Sequence, residues 1–343
     1  MQTITGWDIG GAHVKMARFE GARLCSAATL PSPLWQGLER FDEALQLALA
    51  AHGGATRHVI TMSGEMSDIF MSRADGVRTL LDRAALQLGT EDLGCYAGER
   101  GFLDLATAKA APLLIGSANW HAAAALAARR LGHGLHIDMG STTTDISPLI
   151  GGKVATRGHD DASRAEHGEL VYTGLTRSFV MALAQRAPFE GRWRNLMQEY
   201  FANMADVRRI LGDLPADADA MNTADGRDKS VAASCNRLAR MIGCEADAAT
   251  LAQWQDLAGF FSRQQERLLE DNAAQVRSRH DMAPQSLAIC SGTGRALMMK
   301  LAQRWGHEAR DFATLFDAPP MLAAQAADAA PAAAIALLAS DLP

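Results

Sequence analysis

The sequence is poor in cysteine and in aromatic residues. Five cysteines (Cys25, Cys95, Cys235, Cys244 and Cys290) are scattered over 343 residues without a CxxC pair, which excludes a disulfide framework and a zinc knuckle. Basic residues do not dominate either: 33 Lys and Arg stand against 39 Asp and Glu, a formal net charge of −6. A binder of phosphate backbones usually carries a basic face, so nucleic acid is not an expected partner. The most apolar stretches, 122–128 and 332–339, are alanine-rich and far shorter than the ~20 residues of a membrane helix. No basic, apolar, cleavable leader precedes TITGWDIGG, so the expectation is a cytoplasmic protein with reduced thiols and no membrane contact.

What is present is ordinary globular material, 48% apolar and 21% charged, in a length that predicts about two domains. Thr3 to Asp8, His13 to Phe19 and Leu24 to Leu30 read as strands separated by glycine turns. Leu38, Phe41, Leu45 and Leu49 predict a helix over Trp35 to Ala51, followed by a strand over Arg57 to Met62. Helices are expected over Asp68 to Leu88 and Ser117 to Leu131, with a short strand at Asp92 to Tyr96 between them. Gly132-His133-Gly134 marks a break, which places the domains at 1–133 and 134–343.

After the break, Leu135 to Ser141 and Thr144 to Ile150 repeat the opening pattern of strand, terminal Asp, glycine turn and returning strand. Helices are predicted at Ser178 to Gln185, Arg194 to Leu211, Ser230 to Met241 and Ala248 to Arg279. A strand at Gln285 to Ser291 leads into SGTG and a further helix, and Met321 to Ser340 reads as helix interrupted near Pro331. Asp213 to Arg227, rich in Asp, Ala, Gly and Pro, reads as an exposed segment that suits a mobile cover over a cleft.

The repeated pattern carries the chemistry. In DIGGAHVK, Gly10 and Gly11 let backbone amides approach a phosphate, Asp8 is placed to hold Mg²⁺, and Lys15 to neutralise charge. The same residues also suit a plain hairpin turn capped by Asp8. DMGSTTTD is richer: Gly140, Ser141, Thr142 and Thr143 gather hydroxyls and amides between Asp138 and Asp145. SGTG supplies Gly292, Thr293 and Gly294 at a strand-to-helix junction, a place where amides and the helix dipole favour phosphate.

Paired hairpin loops and a late glycine turn resemble the actin/hexokinase/Hsp70 superfamily over almost the whole chain. DIGGAHVK, SANW, HIDMGSTTTDI, GELVYTGLTRS and DKS are similar to its hydantoinase A/oxoprolinase-like branch. Within that branch they resemble the tetrahydromethanopterin-linked one-carbon transfer proteins, related to the synthase of the furfuryl phenyl ether of methanofuran. The resemblance implies two ribonuclease H-like α/β domains around an interdomain phosphate-binding cleft, with the last helix packing back on the first domain. It implies Mg²⁺ as cofactor, held at Asp8 and Asp138, in an enzyme of methylofuran or methanofuran biosynthesis. That enzyme would move an aminomethylfuran-methyl group from its diphosphate to a tyrosine- or tyramine-like phenol and release pyrophosphate.

On that reading Asp8, Ala12 and Lys15 belong to the first cradle, and Asp145, Glu169 and Asp228 are the candidate bases for a phenol. Glu65, Asn119, Trp120, Tyr172, Thr173, Arg177 and Lys229 are the expected substrate contacts, Trp120 by stacking and Arg177 through a carboxylate. The partners are a small-molecule diphosphate and a phenolic acceptor, with a homodimer as the expected assembly. Two alternatives stay open: an ATP-dependent kinase or ring-opening hydrolase, since this fold commonly cradles ATP, and a nucleotide-sensing scaffold without turnover.

Overall fold

The computed structural model describes residues 2–89, 92–216, 218–279 and 286–340. The first half contains β1 (Thr3–Ile9), β2 (His13–Glu20), β3 (Arg23–Pro31), α1 (Glu39–His52), β4 (Arg57–Met62), α2 (Arg73–Leu88), β5 (Leu93–Tyr96), β6 (Phe102–Leu103), α3 (Leu105–Ala110) and α4 (Asn119–Leu131). The second half opens with β7 (Gly134–Met139), β8 (Thr144–Ile150), β9 (Lys153–Val154), α5 (Asp161–Glu166), β10 (Leu170–Val171) and α6 (Val180–Leu183). It continues with β11 (Arg186–Phe189), β12 (Arg192–Asn195), α7 (Met204–Leu211), α8 (Val231–Met241) and α9 (Leu251–Arg277). It closes with β13 (Ala288–Ser291), α10 (Arg295–Arg304), β14 (Ala309–Asp311), α11 (Pro320–Asp328) and α12 (Ala330–Ser340).

Two sheets share one plan. The first runs β3-β2-β1-β4-β5-β6 and the second β10-β8-β7-β13-β14, with β9 also on β8. In each, a hairpin is extended by parallel strands on the same side: β1 pairs antiparallel with β2 and parallel with β4, as β7 pairs with β8 and β13. The central strands β1 and β7 are buried almost throughout, as expected where both faces of a sheet are covered. One face of the first sheet packs Trp7, Ile9, Val14 and Met16 against Phe41, Leu45, Leu80 and Leu81 of α1 and α2. The other face belongs to a core that joins the halves, in which Ile4 and Phe19 meet α4, α11, α12 and Ile289 of β13.

Among the described residues no single helix is long and apolar enough to cross a membrane. Helices α11 and α12 are apolar together but meet at 100°, and residues 330–339 of α12 are buried. This helix lies on β1 with its backbone against Gly6, where an added Cβ would stand 2.0 Å from Ala332 O.

Several predicted elements shift. The helix expected from Trp35 starts at Glu39, because Gly37 at φ 125 ends a short 3₁₀ turn that contains Trp35. The helix expected from Asp68 starts at Arg73, where Ser72 Oγ accepts from Asp75 N at 3.2 Å. The helix expected over Arg194 to Leu211 is a correction: Glu190 and Gly191 take positive φ and turn the chain into the β11–β12 hairpin, and helix begins only at Met204, capped by Asn203. Gln285, the first residue of the last predicted strand, lies outside the described residues.

The contact of Gly6 with α12 yields a test. Gly6→Ala should destabilise the chain by about 1–3 kcal/mol through forced separation of strand and helix. Gly54→Ala, with nothing within 4 Å of the added Cβ, should stay within about 0.5 kcal/mol of wild type in urea denaturation. Equal effects at both positions would contradict the packing described.

Candidate active site

Each half presents its hairpin turn to the same cleft. Register places Asp8 opposite Lys15 and Asp138 opposite Asp145, and directly opposed residues share a sheet face. The first hairpin therefore offers a carboxylate with an ammonium, the second two carboxylates. In both turns the first glycine closes the hairpin, Gly10 N donating to His13 O at 2.9 Å and Gly140 N to Thr143 O at 3.0 Å. The following carbonyls are tied back from outside: Ser32 N and Leu34 N donate to Ala12 O and Gly11 O, while Leu175 N and Arg177 N donate to Gly140 O and Ser141 O. Among the described residues no acceptor takes the amides of Gly11, Ala12, Ser141 or Thr142. Such uncommitted amides on turns form an anion-binding concavity.

The turns line one cavity of about 560 Å³, together with Asp8, Lys15, Asp138, Thr143, Asp145, Asn119, Trp120, Tyr172 and Arg177. That volume suits a small-molecule ligand. Asp8 is 4% exposed and its Oδ1 has no partner among the described residues. Burial pushes its carboxyl up to about 6, Lys15 opposes the rise, and Asp138 adds to it. Asp145 is also pushed up to about 6 by burial, against the pull of Arg164, with Asp138 again adding to the rise. His13, at the cavity wall, is lowered to about 4 by burial and by Lys15 and Arg177.

Arg164 is a site residue that the sequence did not single out. Its guanidinium pairs with Asp145 Oδ1 at 2.9 Å and lies 3.7 Å above the Trp120 ring, so one face of Trp120 is taken by a cation. It sits on α5, whose start is fixed by a capping box between Asp160 and Ser163. Trp35, in no recognisable motif, also lines the cavity, as does Ser63 at the end of β4.

Other expected residues are corrected. Gly292 N donates to Ala327 O and Gly294 N to Met139 O, so those two SGTG amides are committed to protein. An added Cβ at Gly292 would meet Asp138 Oδ1 at 2.5 Å and one at Gly294 the Met139 side chain at 2.4 Å. Those glycines therefore let the turn pack against Asp138, and neither they nor Thr293 line the cavity. In that packing Ser291 Oγ donates to Asp138 Oδ2 at 2.7 Å, backed by His136 Nε2 at 2.9 Å from the hydroxyl. The committed amides of Gly10 and Gly140 likewise leave the donor set.

Glu169 is withdrawn as a base, because its buried carboxylate accepts from Arg157 N and Gly158 N and pairs with Arg279. Asp228 accepts from Ser230 N before α8, and Lys229 reaches Asp219; neither lines the cavity. Thr173 is buried against Ser178 and Gln265. Glu65 is buried behind the wall, where Ser117 Oγ and Arg73 Nη2 bind it at 2.9 and 3.1 Å.

A divalent cation fits what remains. Among the described residues no group of three or more His, Cys, Asp or Glu could hold a metal by itself. Mg²⁺ normally takes one or two carboxylates and completes its shell with phosphate and water, which the unpartnered Asp8 Oδ1 beside Asp138 allows. The raised Asp8 value sets a stability test. Between 3.8 and about 6 the folded chain holds a proton that the unfolded chain has released, so stability falls as pH rises through that window. In metal-free buffer, Asp8→Asn should gain on wild type from pH 4 to pH 7, by on the order of 1–3 kcal/mol at the upper end. A difference in urea midpoint that does not change with pH would contradict the assignment.

The chain is 26% identical over 296 residues, 86% of its length and 87% of the relative's, to a synthase of Methanocaldococcus jannaschii. That enzyme is named for a (phenoxymethyl)furanyl-methanamine whose phenoxy ring carries a γ-L-glutamylaminoethyl chain. A synthase of the same name from Methanococcus vannielii is 32% identical over 106 residues, covering 31% of this chain and 47% of the relative. Nucleotide-free acetone carboxylase superposes with a TM-score of 0.58 at 10% identity, covering 97% of this chain and 70% of that one. That likeness shows a shared mixed α/β fold. The hydantoinase/oxoprolinase family model matches residues 57–330, and the chain belongs to that family.

Proposed function

We propose that the chain is a transferase of methylofuran- or methanofuran-type cofactor biosynthesis that joins an aminomethylfuran-methyl group to a phenol. The observation that carries this reading is a cavity lined by two loops with uncommitted amides, by Lys15 and by two acidic strand ends, next to Trp120, a lining whose donors suit a diphosphate. The near full-length similarity to a synthase of a phenoxymethylfuran supports it.

In the proposed reaction the carbon–oxygen bond of the furfuryl diphosphate breaks and pyrophosphate leaves with the bonding pair. The phenol oxygen forms the new ether bond and gives up its proton. The amides of Gly11, Ala12, Ser141 and Thr142 and the ammonium of Lys15 would receive the charge that develops on the leaving group. Asp8 and Asp138 would hold Mg²⁺, which when bound neutralises diphosphate charge. Asp145 is the remaining candidate to accept the phenolic proton: burial raises its basicity, and its pair with Arg164 fixes its orientation.

The test is incubation with aminomethylfuran-methyl diphosphate, Mg²⁺, and tyrosine or γ-glutamyl-tyramine, followed by mass spectrometry and a pyrophosphate assay. One pyrophosphate per ether is expected, with at least a ~100-fold loss of rate for Asp8→Ala or Asp138→Ala. Absence of ether with every phenol, together with phosphate transfer or hydrolysis from ATP, would replace this reading with that of a kinase or hydrolase.

A further inference from the structure

The two sheets place a hydroxyl at the same position relative to their acids. Register sets Thr61 of β4 beside Asp8 of β1, and Ser291 of β13 beside Asp138 of β7. Each acidic strand end thus has a hydroxyl-bearing neighbour on the adjoining parallel strand, and both hydroxyl residues are buried. Their bonding differs. Ser291 Oγ donates to Asp138 Oδ2 at 2.7 Å, whereas Thr61 Oγ1 and Asp8 Oδ1 have no partner among the described residues. Asp8 instead takes a side-chain hydrogen bond from Asn119, at the start of α4.

The residue two positions before each acid accounts for the difference. In β1 it is Gly6, where the backbone of α12 leaves no room for a side chain. In β7 it is His136, buried on the same strand face as Asp138 because residues two apart share a face. Ser291 Oγ stands between them, 2.9 Å from His136 Nε2 and 2.7 Å from Asp138 Oδ2. A carboxylate that holds a cation is ionised and only accepts, so the serine hydroxyl donates to Asp138 and accepts from Nε2–H of the histidine. A hydroxyl pinned on one side delivers its proton in one direction, and successive bonds of this kind strengthen one another. The turn after Ser291 completes the seat, since Gly292 leaves room for Asp138 Oδ1, which an added Cβ would approach to 2.5 Å.

The arrangement carries a cost. His136 Nδ1 is buried without a partner among the described residues, and its ring lies 5.5 Å from that of Phe312. An apolar side chain would avoid that unpaired nitrogen. What the histidine supplies in return is the N–H that fixes Ser291.

We infer that Ser291 and His136 are positioning residues of the cation site, which hold the Asp138 carboxylate in its metal-binding orientation. Asp138 is then the preset ligand, and Asp8, with one oxygen left open, completes the site. The inference rests on the proposed reading in which the two acids share a divalent cation, and it extends that reading to their unequal roles.

The experiment is titration of the full chain with Mn²⁺, with and without inorganic pyrophosphate, read by electron paramagnetic resonance. Pyrophosphate affinity in metal-free buffer is measured separately by calorimetry. Ser291→Ala and His136→Leu should weaken Mn²⁺ binding about 10- to 100-fold. Ser291→Thr and His136→Gln, which keep an O–H and an N–H at those positions, should recover most of the affinity. Thr61→Val, which removes the register-equivalent hydroxyl of the first half, should change it less than about twofold, and metal-free pyrophosphate affinity should stay within about twofold in every variant. If Ser291→Ala bound Mn²⁺ like wild type while Asp138→Ala did not, the inference would fall and the shared cation site would stand. If Asp138→Ala bound it like wild type, or wild type bound none, both would fall. Equal losses in Thr61→Val and Ser291→Ala would also overturn the inference. Should Ser291→Ala fail to fold, His136→Leu and His136→Gln decide the matter: equal Mn²⁺ affinity in the two overturns it.

Discussion

The turn carbonyls of both hairpins are held from behind, and the rest of the site depends on this. Ser32 and Leu34 hold the first turn; Leu175 and Arg177 hold the second. With the carbonyls engaged, the amides of Gly11, Ala12, Ser141 and Thr142 have no acceptor among the described residues. A polar group left without a partner is costly, and the cost is acceptable where a ligand or water meets it. Gly174 shows how tight the support is: a Cβ there would lie 2.5 Å from Thr142 N. The segment that bears Arg177 is thereby locked to the second loop.

Charge explains why the cavity suits a cation. Asp138 and Asp145 face each other across one strand pair and Asp8 feels Asp138 from the other half. Like charges in such positions repel. Arg164 compensates Asp145 and Lys15 compensates Asp8 in part, yet both acids remain shifted upward. A cation shared by Asp8 and Asp138 would relieve that repulsion and supply the counter-charge a diphosphate needs. The joined core carries this geometry, because α12 packs on β1 and couples the strand that ends in Asp8 to the last helix of the chain.

The features legible in the sequence are those set by neighbours along the chain. The strand–Asp–glycine hairpins, the helix start at Ser230 and the break before Pro331 depend on a few consecutive residues, and the structure forms all of them. Features decided by distant partners were not legible. Glu169 resembles a strand-edge acid until Arg279 and the amides of Arg157 and Gly158 close around it. The SGTG string has the composition of a phosphate turn, but Ala327 and Met139 take the amides of its two glycines and the turn does not line the cavity. Arg164 has no motif around it; only the fold brings it between Asp145 and Trp120. The helix expected over Arg194 to Leu211 overlaps the end of β12, because the positive φ of Glu190 and Gly191 just before it turns the chain into a hairpin.

The central claim is that the two halves build one metal- and diphosphate-binding centre at Asp8 and Asp138. A crystal structure of the chain with Mn²⁺ and inorganic pyrophosphate tests this most directly. The account predicts a single anomalous peak at about 2.0–2.2 Å from oxygens of Asp8, Asp138 or their bridging waters, with the diphosphate on the amides of Gly11, Ala12, Ser141 and Thr142. Manganese on one carboxylate alone, or pyrophosphate outside the cleft, would contradict it.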